Sequence, residues 1–191
     1  MTYIAIFASG TGTNALRLME HFAAHPDIRV GVLVSNKPGA GALHHADDMG
    51  VPTLVIDRKS FYESESLLTD LDLYHVRFIV LAGFLWLVPP YLIRAYPNRI
   101  VNIHPALLPR HGGKGMYGMR VHQAVRDAGD PETGISIHYV NERYDDGAII
   151  FQTSCPVGPS DTPDDIARRV QALEHRHYPE VVEQLIAQQP V

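Results

Sequence analysis

Residues 78–82 read Phe78-Ile79-Val80-Leu81-Ala82, a run that is apolar on both faces of an extended chain. An alternating strand would leave one face polar. A run without alternation belongs to a central strand of a parallel sheet, covered on both sides. Working outward toward the N-terminus, a polar helix is predicted from Ser60 to about Leu73. Before it, Pro52–Ile56 reads as a strand, Gly41–Met49 as a helix and Arg29–Ser35 as a strand. Asn14–His25 has helical spacing, with Leu16, Met19, Phe22 and Ala23 on one face, and Tyr3–Ala8 reads as the first strand. Outward in the other direction, Pro89-Pro90 suits a helix start, Tyr91–Tyr96 continues it, and Ile100–His104 is a further strand. A glycine-rich loop, Pro109–Gly118, leads to a helix from Met119 to Ala128. Gly134–Val140 and Ala148–Pro156 then read as two strands, open to an antiparallel extension joined by Asn141–Gly147. The last helix runs from Pro163 to about Gln188, capped by Ser160 or Asp161. This alternation predicts an α/β fold: a doubly wound, mostly parallel sheet with helices on both faces, forming one domain over residues 1–191.

The composition narrows the classes of function. Of 191 residues, 46% are apolar and 19% charged, a globular balance. Lys and Arg number 16 against 21 Asp and Glu, so the net charge is −5, and the chain lacks the basic patch of a nucleic-acid binder. No uncharged apolar stretch approaches the roughly 20 residues of a membrane span, and no signal peptide is discernible. Cys155 is the single cysteine, so an intrachain disulfide is impossible, and the pattern fits the cytoplasm.

Ligands of open α/β sheets bind outside the carboxyl ends of the strands. After the first strand come Ser9-Gly10-Thr11-Gly12-Thr13-Asn14 and a helix, where free N–H groups suit one phosphate; the plain alternative is a tight turn capped by Thr13 or Asn14. Neither the third glycine of a dinucleotide fingerprint nor the lysine of a P-loop is present. Gly83-Phe84-Leu85-Trp86-Leu87-Val88 supplies an apolar wall for a flat ligand, or else ordinary core packing. Strand periodicity puts Asn102 and His104 on one face, an amide beside an imidazole, suited to a carbonyl and a developing oxyanion. Tyr144-Asp145-Asp146-Gly147 places two carboxylates in a turn, which by default is a solvated Asp-Gly turn.

Taken in order, Ser9–Asn14, Leu81-Ala82-Gly83-Phe84, Asn102-Ile103-His104-Pro105-Ala106-Leu107-Leu108-Pro109, Gly134–His138 and Asp145-Asp146-Gly147 resemble the 10-formyltetrahydrofolate-dependent formyltransferases. The loop at Gly10–Asn14 and the chain length resemble the phosphoribosylglycinamide formyltransferase branch. The resemblance runs from Ile4 to about Glu183 and implies a Rossmann-like formyltransferase fold and a step of purine (IMP) biosynthesis. It implies Asn102, His104 and Asp145 as catalytic residues, with Asp146 as the competing carboxylate. It implies Gly12, Thr13 and Asn14 on the substrate's 5′-phosphate, and Gln171, Ala172, Leu173 and Glu174 at a helix start contacting the ribonucleotide. Leu85, Trp86, Leu87, Val88, Asn102, Asn141, Tyr144 and Asp145 would line the site of the co-substrate, 10-formyltetrahydrofolate. No metal is implied, and the enzyme would be a monomer or homodimer acting on small molecules.

The chemistry these residue types support is attack of a primary amine on the formyl carbon. A protonated His104, kept charged by Asp145, and the Asn102 amide would hold the oxyanion. The sequence departs from the commoner family pattern at Arg110–Gly118, where the loop is longer and carries Lys114, and at Leu85-Trp86. Three relatives in chemistry compete: a tRNA formyltransferase, which needs a further domain and a basic surface; a formyltetrahydrofolate hydrolase, which usually carries an extra N-terminal domain; and a phosphate-sensing module without catalysis. A metal-dependent hydrolase using His104, His111, His122 and His138 lacks the short ligand spacings of zinc sites.

Overall fold

In the computed structural model, residues 1–188 are described; 189–191, the end of the expected domain, lie outside the described residues. Seven strands form one sheet: β1 (Thr2–Phe7), β2 (Ile28–Ser35), β3 (Thr53–Val55), β4 (Val76–Leu81), β5 (Ile100–His104), β6 (Glu132–Tyr139) and β7 (Ile149–Pro156). Their order is β3-β2-β1-β4-β5-β6-β7. The first five strands in that order are parallel, and β6 and β7 extend the sheet antiparallel. The chain therefore winds from β1 out to β3, then restarts at β4 on the other side of β1. That reversal opens a crevice at the carboxyl ends of β1 and β4.

The unbroken apolar run at Phe78–Ala82 fills β4 from Phe78 to its end and continues one residue past it, at the centre of the sheet, and both its faces are used. Phe78, Val80 and Ala82 pack into one core with Leu18 of α1 (Thr13–Phe22), Ala46 of α2 (Gly41–Asp48), Val125 of α6 (Met119–Ala128) and Tyr178 of α7 (Pro163–Ala187). Ile79 and Leu81 face the other core, with Phe61 of α3 (Arg58–Glu63), Leu71 of α4 (Ser66–Leu73) and Leu92 of α5 (Pro90–Ala95). Tyr178 is fully buried and donates its hydroxyl to the Leu81 carbonyl at 2.8 Å, which docks α7 against the sheet beside the crevice. Among the described residues no helix is long and apolar enough to cross a membrane.

Two expectations are corrected. The single helix over Ser60–Leu73 is broken into α3 and α4. Asp57 caps α3 by accepting from the Lys59 and Ser60 N–H groups, and Ser64 is extended at φ −138°. Its hydroxyl donates to the Ser60 carbonyl at 2.8 Å, a local bond that competes with helix continuation. The cap of α7 is Thr162 rather than Ser160 or Asp161. Thr162 and Asp165 form a reciprocal capping box, while Asp161 accepts from the Gly158 N–H and pairs with Arg169.

Candidate active site

The crevice is a cavity of about 650 Å³ lined from every strand end that the sequence singles out. On one side is the turn from β1 into α1. Gly12, not Thr13 or Asn14, occupies the cap position, at φ +80° and without a side-chain cap bond. A Cβ at Gly12 would lie 2.5 Å from the Ala42 Cα, so only glycine lets α2 approach this closely. The first N–H groups of α1 are thus left for an anion. Gly12, Thr13 and Asn14 all line the cavity, and the buried Oδ1 of Asn14 has no hydrogen-bond partner.

Glu174 reaches the same cavity from α7. Burial pushes its carboxyl up to about 7, against a hydrogen bond with Asn14 that pulls it down. Gln171 does not line the cavity, but donates to the Thr13 hydroxyl at 3.3 Å. The expected helix start at Gln171–Glu174 is instead the interior of α7. Positions 171 and 174 share a helix face there, while Ala172 is turned out to solvent and Leu173 packs against the core. Ala172 and Leu173 are therefore no part of the cavity.

On the other side, the end of β5 presents Asn102 and His104. Register places Asn102 opposite His138 of β6, and the Asn102 Nδ2 lies 3.1 Å from the His138 Nε2. Asp145 arrives from the β6–β7 loop with a left-handed backbone, φ +54°. Its carboxylate stands 3.5 Å from the His104 Nδ1 and 3.7 Å from the His138 Nε2, and accepts from the Gly113 N–H at 2.9 Å. Asp146 points elsewhere: it pairs with Arg143 at 2.6 Å and accepts from Asn141 at 3.1 Å. Of the two neighbouring carboxylates, it is Asp145 that meets the imidazole.

The charge states differ from the sequence expectation. Burial pulls the His104 pKa below the usual histidine value, and the opposing pull of Asp145 and of the His111 carbonyl does not restore it. His104 is thus neutral at pH 7, not a standing imidazolium. For Asp145, burial pushes up, but His138, His104 and the Gly113 N–H outweigh it, and the net shift is downward.

Leu85, Trp86, Leu87 and Val88 form the apolar wall between the two sides. Trp86 leans on Phe61 and Phe84, with ring centroids 5.4 and 6.2 Å away, and the Arg58 guanidinium lies 5.8 Å from its ring centre. Asn141 and Tyr144 line the mouth, and so do Lys114 and the rest of the Gly113–Gly118 stretch.

Two histidines that the sequence offers only as metal ligands or within a motif line the cavity beside the expected site residues. His138 sits between Asn102 and Asp145, and the signal was available: strand pairing brings the end of one polar-tipped strand beside another. His122, in the first turns of α6, lines the cavity with its Nδ1 buried and unpartnered, and its pKa is lowered by burial and by His104. Cys155 lies on β7, outside the cavity. Among the described residues no cluster of three or more His, Cys, Asp or Glu side chains is arranged to hold a metal ion.

Comparison with known proteins converges on one group. Residues 2–182 match the family described as formyl transferase. Over 185 residues the chain is 43% identical to the chloroplastic phosphoribosylglycinamide formyltransferase of Arabidopsis thaliana; the match covers 94% of this chain but spans 63% of the plant protein's length. It is 35% identical over 191 residues to the phosphoribosylglycinamide formyltransferase of Bacillus subtilis, covering 97% of this chain and 95% of that one. The crystal structure of phosphoribosylglycinamide formyltransferase from Anaplasma phagocytophilum superimposes with a TM-score of 0.89 at 31% identity, over 98% of this chain and 87% of that one.

Proposed function

Since the chain belongs to the formyl transferase family, in its phosphoribosylglycinamide formyltransferase branch, we propose that it moves a formyl group from 10-formyltetrahydrofolate to the amine of 5′-phosphoribosylglycinamide. The observation that carries this reading is the meeting of Asn102, His104 and Asp145 in one cavity with an anion cradle and an apolar wall. The ribonucleotide's phosphate sits on the first N–H groups of α1, at Gly12, Thr13 and Asn14, with Glu174 beside its amine-bearing end. The pterin lies along Leu85–Val88, with Asn141 and Tyr144 over it.

The reaction is direct. The amine attacks the formyl carbon, a C–N bond forms, and the carbonyl oxygen becomes an oxyanion that accepts from the Asn102 amide. The attacking nitrogen is now an ammonium. Neutral His104 takes its proton at Nδ1, beside the Asp145 carboxylate that stabilises the resulting imidazolium, and delivers it to N10 of the folate. The C–N10 bond breaks and tetrahydrofolate leaves. Depressed pKa values on both groups suit this role, because at pH 7 His104 then starts neutral, with one ring nitrogen free to accept, and Asp145 starts ionised. We further infer a single domain of residues 1–191, working in the cytoplasm as a monomer or homodimer on small molecules, without a metal.

The test is turnover of purified protein with both substrates, following tetrahydrofolate release. Release that requires the ribonucleotide is the expected result. Release without it would make the protein a hydrolase, and binding without turnover a sensing module. His104→Ala should abolish most of the rate while leaving both substrates bound.

A further inference from the structure

The segment Arg110–Gly113 touches both reacting groups through its backbone alone. The His104 Nε2–H donates to the His111 carbonyl at 2.8 Å, and two residues on, the Gly113 N–H donates to Asp145 at 2.9 Å. Backbone atoms of a loop hold such positions only if something anchors the loop, and the anchor lies outside the cavity. The His111 ring meets the Asp130 carboxylate at 2.6 Å through Nε2, and the Arg110 guanidinium pairs with the other oxygen of that carboxylate. Asp130 follows Gly129, the left-handed cap of α6, and precedes β6, so a helix end and a strand start fix where it stands. It is buried, and neither it nor His111 lines the cavity. His111 itself is held at φ +52°, a conformation that costs energy unless its surroundings enforce it.

We propose that Asp130 is a positioning residue that, by gripping the His111 side chain, keeps the His111 carbonyl on His104 and so selects which imidazole nitrogen carries the proton. Neutral His104 has two acceptors in reach and one N–H to give. A carbonyl oxygen can only accept, so the bond to His111 demands the proton on Nε2 and leaves the Nδ1 lone pair free toward Asp145 and the cavity. Without the carbonyl, the anionic Asp145 is the stronger acceptor. The proton then moves to Nδ1, and the basic lone pair turns to the loop, away from the reacting amine. The clamp thus keeps the ring from being captured by its own carboxylate.

The kinetic part of this inference rests on the proposed transferase reaction; the tautomer does not. Two variants test it: Asp130→Ala, and His111→Asn, which tolerates the left-handed backbone but loses the ring bond. The ring nitrogens of His104 are read by 15N NMR at a pH where the ring is neutral, and kcat and KM are measured with both substrates. The wild type should show Nε2–H. Both variants should shift His104 toward Nδ1–H and lose kcat by about tenfold or more, with KM values within about twofold. If His104 stays Nε2–H with unchanged kcat, or if only KM rises, the clamp is wrong. If Asp130→Ala does not fold, His111→Asn decides alone. If the wild type transfers no formyl group, the activity reading falls, while the ring nitrogens still decide the clamp.

Discussion

Glu174 enters the cavity from the middle of α7 and Asp145 from the β6–β7 loop, and burial acts on both in the same sense. Their outcomes are opposite. Glu174 has one neutral partner, Asn14, and its carboxyl rises to about 7. Asp145 faces two imidazoles and a backbone N–H, and falls below the usual carboxylate range. Both depth and partners set the difference: Glu174 is the more deeply buried, and Asp145 has the more partners that favour its charge. The cradle side therefore holds a carboxyl that changes charge near neutral pH, suited to recognising an amine-bearing ligand. The β5 side holds a permanent carboxylate, suited to stabilising a transient imidazolium. Two carboxyls pushed apart in one cavity mark a division of labour between binding and chemistry.

The sharpest way to break that division is to neutralise each carboxyl in turn. Asp145→Asn should lower kcat by about 10²–10⁴-fold with substrate binding retained. Glu174→Gln should act on KM for the aminonucleotide and leave kcat within about threefold. Steady-state kinetics with each substrate varied separates the two, and equal kcat losses would erase the distinction. Next in size is Gly12→Ala. Its Cβ would collide with the backbone of α2 at Ala42 and would require a left-handed alanine. A loss of about 3 kcal/mol in denaturant unfolding is expected, as is weaker phosphate binding, because Asn14 and its contact with Glu174 move with the turn.

The sequence carried the architecture because the decisive signals were local. An apolar run without alternation identified β4 as central, and glycines and prolines punctuated nearly every element. The break at Ser64 was missed because a serine hydroxyl can either face solvent or take a helix carbonyl, and only tertiary context chooses. At the site, the residues that line the cavity at strand ends were legible by position: Gly12, Asn14, Asn102 and His104 all follow an apolar run. Asp145 was legible by resemblance but not by chemistry, since Asp146 is its equal until the left-handed turn aims one inward. The charge of His104 was misread because the attraction of Asp145 is visible in sequence and the cost of burial is not. Ala172 and Leu173 were carried along with a helical segment of which only one face meets the cavity.

The two carboxyls should also write opposite signatures into stability against pH. Glu174 ionises near 4.5 in the unfolded chain and near 7 in the folded one. Its folded state is therefore favoured below the unfolded value, loses that advantage as pH rises from about 4.5 to about 7, and changes no further above. Relative to wild type, Glu174→Gln should gain on the order of 3 kcal/mol across that window. Asp145 is depressed when folded, so its contribution is present above its ordinary value of 3.8 and is lost as pH falls through the folded value. Urea unfolding of Asp145→Asn should accordingly lose stability against wild type at neutral pH and converge with it in acid. Parallel profiles for the two variants would mean that the carboxyls are not held differently.

The smallest effect is expected at Gly113, the backbone donor to Asp145. Gly113 also has a positive φ, +94°, but no atom lies within 4 Å of where a Cβ would sit, in contrast to Gly12. Gly113→Ala thus meets strain without collision. The N–H is retained, and a loss of about 1 kcal/mol follows from the left-handed alanine alone. Activity should fall by no more than a few-fold, since Asp145 keeps both imidazoles and its donor. Denaturant midpoints at constant slope measure the difference from Gly12→Ala. A cost at Gly113 as large as at Gly12 would mean that the loop is packed as tightly as the cradle. The low pKa of Asp145 would then depend on a rigid wall rather than on three partners converging on an open one.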